Sequence, residues 1–293
     1  MHAFKLTCNA YAGILMLALS LCVLAINYYV FQYPENIYLP SNTPGVGLIL
    51  VLIWGGCHLQ FGPKSRLAHT FRDVLKFFLV LLIICIASTA IQFTPFNPID
   101  HYITQFESSL HINMNEIIAW TQNHPRLNTV LDFAYYTLAF QLTIFPIILV
   151  VSRKQKYFSE FCLLMFIAST IGFAFYYFFP TTAPASVSTS PLFSESQRST
   201  GIKFYELHNH IPPSTADGGM IALPSFHVIW AWIVQYTMRV WPIVFIALTP
   251  LNILLVISCV MLGWHYPVDI VGSIIVILIS HYLAFKCKRM VSH

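Results

Sequence analysis

Charge is what this sequence has least of. Asp, Glu, Lys and Arg make up 9% of its 293 residues, against roughly 25% in soluble domains, which excludes a water-soluble globular fold. The charges it does have sum to +4 and are scattered between apolar runs. They form no basic face for a nucleic acid, and basic residues beside lipid head groups account for them. No Gly- or Ser-rich linker and no internal repeat is present, so one membrane domain with small decorations is expected rather than a string of modules. The seven cysteines (Cys8, Cys22, Cys57, Cys85, Cys162, Cys259, Cys287) lie mostly inside apolar runs. They show neither paired metal spacing nor a disulfide framework, and packing is their expected role. The first apolar run has Lys5 before it and no small-residue cleavage site after it, so it reads as an uncleaved anchor.

What the sequence has in excess is apolar length. It is 57% hydrophobic with a mean hydropathy of +0.69, and it is read as an all-α integral membrane protein. Eight runs approach the roughly 20 residues a transmembrane helix needs: 10–31, 46–61, 74–93, 131–151, 158–179, 221–239, 242–262 and 268–285. The second is short and carries Gly55, Gly56 and His58. Helices are the expected element because an open sheet edge in lipid leaves backbone groups unpaired.

Basic residues in short loops give the orientation. Lys64, Arg66, Arg72 and Lys76, then Arg153, Lys154 and Lys156, then Arg239, and finally Lys286, Lys288 and Arg289 fall in alternate gaps or after the last run. Eight spans put all of them in the cytoplasm with both termini. Segments 32–45, 94–130, 180–220 and 263–267 then face outward.

Two motifs stand at that outer face: Leu223-Pro224-Ser225-Phe226-His227 and His265-Tyr266-Pro267-Val268-Asp269. Ionisable groups in membrane spans are rare unless they line a cavity or pair with one another. His265 and Asp269 are spaced to share one helix face. A carboxylate there accepts from one imidazole nitrogen, fixes the tautomer and leaves the other nitrogen as a nucleophile. His227, opening a different helix, is placed to protonate a leaving oxygen as a general acid. Ser225 precedes it near a helix N-terminus, where N–H groups and the helix dipole favour a phosphate. These roles describe covalent phosphoryl transfer through a phosphohistidine. Each His taken singly reads equally well as an interfacial polar residue capping a span.

Pro224-Ser225-Phe226-His227 followed by His265-Tyr266-Pro267-Val268-Asp269 resembles the second and third signatures of the type 2 phosphatidic-acid phosphatase superfamily. More narrowly, Ala222 to His227 and His265-Tyr266 with Asp269 resemble the branch holding inositol phosphorylceramide and sphingomyelin synthases. The resemblance covers 74–285, which it implies is a six-helix catalytic core, with 1–73 an addition of two helices and a basic loop and 286–293 a basic tail. It implies His265 as nucleophile, Asp269 as its orienting partner, His227 as acid, and no metal or other cofactor.

The departures from that pattern concern charge. Phosphatase members carry a Lys and an Arg in a first signature near the outer end of the fifth run, where this sequence reads Tyr176-Tyr177-Phe178-Phe179-Pro180-Thr181-Thr182-Ala183-Pro184. Their third signature has a Ser-Arg pair; here Ser258 is followed by Cys259. Missing cations penalise a phosphomonoester dianion more than a phosphodiester monoanion. Transfer of a phospho head group from a diester to an acceptor alcohol is therefore favoured over release of phosphate to water.

The Ser/Thr/Pro-rich stretch 180–220 is long for a connector and reads as a lid or substrate loop. Arg198 and Lys203 within it are candidate substrate-binding cations, while His208 and His210 alone make a weak metal pair. Asp132, beside Tyr135 and Tyr136, is a candidate cavity residue or a helix-end carboxylate, and 101–128 an interfacial helix or a loop. The expected partners are a lipid phosphate-ester donor and an acceptor alcohol or water, in a bacterial inner membrane with a periplasmic site. A proton-coupled transporter and a non-enzymatic lipid-binding protein are the competing classes.

Overall fold

Twelve α-helices account for most of the computed structural model, which describes residues 7–215, 217, 219 and 221–292, without the side chains of 290–292. Lys5 lies outside the described residues. Helix makes up 77% of the chain, and no strand occurs among the described residues. In lipid this is the economical solution, because a helix satisfies its backbone within one segment.

Helix α1 (Cys8–Ile26) starts at Thr7, whose side chain accepts from the Ala10 N–H, and runs on through a π-turn to Phe31. α2 (Thr43–Phe61) has no buried residue and leans on α3 (Arg66–Ile91). Two short helices, α4 (Asp100–Ser109) and α5 (Met114–Gln122), occupy the stretch that the sequence left open between interfacial helix and loop. α6 (Pro125–Val151) opens on Pro125, where a missing N–H is harmless, and α7 (Gln155–Phe178) is the most buried of the long helices. The 180–220 segment folds into α8 (Pro184–Val187) and α9 (Glu195–His208), the latter begun by a reciprocal Ser194–Gln197 capping box. α10 (Phe226–Thr237), α11 (Pro242–Met261) and α12 (Pro267–Ser292) complete the bundle.

Among the described residues, seven helices are long and apolar enough to cross a membrane. The sixth of the eight expected runs is the exception. Residues 221–225 stay out of the helix, so α10 has 12 residues, extended by a 3-10 turn Met238–Val240. It nevertheless packs among α6, α7, α11 and α12, with Ile229, Ile233 and Val234 buried. The helix is short because its first turn has been given over to the Leu223–Ser225 loop.

Charge pairs gather at one end of the bundle. Arg239, just past α10, and Lys288, late in α12, both bind the Glu160 carboxylate near the start of α7. Asp73 is fully buried and accepts from Lys76 (3.2 Å), Arg72 (3.4 Å) and Gln155 (2.6 Å). Asp269 opens α12 at the other end, nineteen residues before Lys288 or about 28 Å of helix rise.

Candidate active site

The two motifs meet. Two residues past α11 the chain turns at Gly263, whose φ of +81° suits glycine; a Cβ there would stand 2.5 Å from Ile118 Cδ1 and 2.9 Å from Phe193. That turn delivers Trp264 and His265 into the interior, where the His265 N–H returns to the Cys259 carbonyl at 2.9 Å. The His265 ring Nδ1 lies 2.9 Å from the Ala222 carbonyl and 3.2 Å from Asp269 Oδ2. Both neighbours are acceptors, so in the neutral ring Nδ1 carries the proton and Nε2 keeps its lone pair. Asp269 Oδ2 also accepts from the Tyr266 N–H at 2.9 Å.

His227, in the first turn of α10, faces His265 with ring centroids 5.8 Å apart. It stacks on Tyr135 of α6 at 4.1 Å and 19°, and Tyr135 stacks in turn on Trp264 at 5.4 Å and 11°. The two histidines are therefore held by one aromatic ladder. They open on a cavity of about 420 Å³ whose floor runs down α6 from Tyr135 to Leu142 and down α10 to Trp230. Its walls are aromatic and aliphatic, with Ser196 and Thr200 of α9 across the top, and no Lys or Arg is among its described lining residues.

The other expected binding residues lie elsewhere. Ser225 is fully buried, with its Oγ 4.0 Å from the Cys259 sulfur, so the position where the signature has Arg is turned towards Ser225. Arg198 does not line the cavity: its guanidinium donates to the Ser188 carbonyl at 2.9 Å and to the Ser190 carbonyl. Lys203 is buried one turn along α9 from Thr200, its ammonium 5.4 Å from the Tyr38 ring centre, and burial lowers its pKa. His208 turns both ring nitrogens to carbonyl oxygens, of Phe204 at 2.7 Å and Thr94 at 2.6 Å, and so is occupied as a helix-to-loop tie. Tyr135 and Tyr136 do line the cavity; Asp132 lines its neighbour.

Two carboxylates that sequence reasoning did not single out hold the site together. Asp100, at the start of α4, accepts from the Thr182 N–H (2.8 Å) and hydroxyl (3.1 Å) through Oδ2 and from the Tyr266 hydroxyl (3.0 Å) through Oδ1. Glu107, on the same helix, accepts from the Val268 N–H at 3.1 Å. Thr181 accepts from the Leu223 N–H at 2.8 Å. The Pro180–Pro184 stretch is thus bonded to the first motif through Thr181 and linked to the second by way of Asp100. Burial pushes the Asp100 carboxyl up to about 6. The available signal was scarcity itself: with eleven acidic residues in the chain, an Asp two residues after Pro98 invites a structural question.

A helical membrane protein with a hydrogen-bonded His–Asp pair, a second His facing it and an apolar cavity below is, as a class, built to act on the polar end of a lipid. The chain belongs to the PAP2 superfamily, whose family model matches residues 101–283. That superfamily comprises phosphatases and phosphotransferases of lipid phosphates. No curated protein and no solved structure matches the chain.

Proposed function

We propose that this protein transfers a phospho head group from a lipid phosphodiester to an acceptor alcohol through a covalent phosphohistidine. The observation that carries the proposal is the His265 ring, with its Nδ1 proton committed to Ala222 and Asp269 and its Nε2 left as a lone pair opposite His227. Nε2 attacks phosphorus and the N–P bond forms. The P–O bond to the lipid alcohol breaks, and that oxygen takes a proton from His227. The acceptor hydroxyl then attacks phosphorus, gives its proton to His227, and the N–P electron pair returns to Nε2. Asp269 stabilises the imidazolium that persists between the two steps.

The preference for a diester rests on charge. A cavity without Lys or Arg among its described walls accommodates a monoanion at lower electrostatic cost than a dianion. The first-turn N–H groups of α10, whose N-cap Ser225 makes no side-chain cap bond, supply partial positive charge beside His227. The alternative acceptor is water, which makes the protein a lipid phosphatase of the kind the superfamily also contains. The basic ends at Arg239 and Lys288 support placing the site on the face away from the cytoplasm, periplasmic in a bacterial inner membrane.

The test uses purified protein in detergent with head-group-labelled and phosphate-labelled lipids, with and without acceptor alcohols, beside His265→Ala. Labelled head group on a new lipid is the expected result. Free phosphate from a monoester or pyrophosphate would make it a phosphatase, and full activity in the variant would remove the mechanism.

A further inference from the structure

Tyr135 belongs to neither motif, yet it touches both. It stands on α6, and its ring stacks on His227 at 4.1 Å and on Trp264, the chain neighbour of His265, at 5.4 Å. A phenylalanine would stack equally well, so the ring leaves the hydroxyl unexplained. The residue is only 7% exposed, and a tyrosine O–H buried to that degree ordinarily has a hydrogen-bond partner. This hydroxyl has none among the described residues. It is not shut inside protein either, because it opens on the reactive cavity that Tyr135 lines. The neighbouring hydroxyls differ. Thr200, across the same cavity, donates to the Gly219 carbonyl at 3.2 Å, and Ser225 is fully buried with its oxygen turned to Cys259.

We propose that the Tyr135 hydroxyl is a further catalytic group, donating a hydrogen bond to a non-bridging phosphate oxygen while Nε2 of His265 attacks phosphorus. The inference rests on the phosphohistidine reading above and deepens it by naming a donor. No Lys or Arg is among the described lining residues of the cavity. The charge that gathers on the phosphate oxygens as the N–P bond forms is therefore left to neutral donors. A phenol is more acidic than an alkyl hydroxyl and donates more strongly. The two stacks fix the Tyr135 ring, so its donor is in place before substrate arrives and needs no reorganisation in the transition state. The proton stays on Tyr135 throughout, and no bond of the transfer is made or broken at this residue. A neutral donor favours a dianion over a monoanion less than a guanidinium would, in keeping with a diester substrate.

Tyr135→Phe removes the oxygen and keeps the ring, so both stacks survive. With a head-group-labelled phosphodiester lipid, covalent labelling and kcat should slow by about 10²–10³, the cost of one such donor, with KM and melting temperature little changed. Undiminished kcat in Tyr135→Phe overturns the proposal. So does an equal fall in Tyr136→Phe, the adjacent tyrosine on the same cavity and 66% exposed, because the loss would then follow general polarity. A second measurement needs no turnover. Orthovanadate, which an imidazole can bind in the five-coordinate geometry of phosphoryl transfer, should raise the melting temperature of the wild type. It should not raise that of His265→Ala, and it should raise that of Tyr135→Phe far less. Equal shifts in the wild type and Tyr135→Phe overturn the role of the hydroxyl even if no lipid is turned over. No shift in the wild type overturns the phosphohistidine reading itself, and this role with it.

Discussion

The Tyr266 hydroxyl donates to Asp100 at 3.0 Å across 166 residues of chain, and neither side chain is more than 1% exposed. This bond anchors the residue after His265 to the start of α4. Because Asp100 also holds Thr182, it ties the turn that carries His265 to the Pro180–Pro184 stretch.

Asp100 sets a pH dependence of stability. Burial raises its carboxyl from the ordinary 3.8 to about 6, so the folded state binds the proton more tightly than the unfolded chain. The stabilisation is complete below 3.8 and is lost as pH rises through about 6. Melting temperature in detergent should therefore fall across that window, and Asp100→Asn should flatten the slope. A slope that survives the substitution unchanged would assign it to another group.

Substitutions at the site should separate by role. His265→Ala should abolish turnover and covalent labelling together. Asp269→Asn should lower kcat by about 10²–10⁴ by releasing the imidazole tautomer. His227→Ala should slow formation of the labelled intermediate by a similar factor, since the leaving oxygen loses its proton donor. Rapid-quench labelling distinguishes these outcomes, and normal intermediate formation in His227→Ala would reassign the acid.

Cys259→Arg tests the charge argument. The new guanidinium would enter beside Ser225, 4.0 Å from the present sulfur, and should raise the monoester-to-diester activity ratio. Its bulk in a site with no exposed surface will lower stability, so the ratio is the quantity to read. An unchanged ratio would show that charge in the cavity does not select the substrate.

Glu160→Gln should destabilise by about 1–2 kcal/mol, less than the 3–5 of a fully buried pair, because Arg239 and Lys288 remain 30% and 46% exposed. Thermal melting reads this directly. Activity per folded molecule should be retained, as the cluster lies at the end of the bundle opposite His265.

Much of the fold was legible because lipid imposes a one-dimensional rule. An apolar run of sufficient length has to become a helix, and seven of the eight runs did so at full length. The run at 221–239 was misjudged in length for an instructive reason. Apolar residues such as Ile221, Ala222 and Leu223 count towards hydropathy wherever they stand, yet here the Ala222 carbonyl and the Leu223 N–H are needed by His265 and Thr181. Arg198 and Lys203 were plausible as phosphate cations from their place in a polar loop. Folding of that loop into α8 and α9 directs one to loop carbonyls and buries the other against Tyr38.

By itself the sequence determined the helical membrane class, which follows from long apolar runs, and it put His265 near Asp269. The two do not share a helix face as expected, however, since His265 stands in the bend before α12 and Asp269 in its first turn. Only the tertiary structure decided that His227 stands opposite His265, that Tyr135 and Trp264 hold the two in register, and that Asp100 and Glu107 clamp the turn after His265. Those relations join residues far apart in the chain, and they depend on how helices pack side by side, which no local pattern encodes.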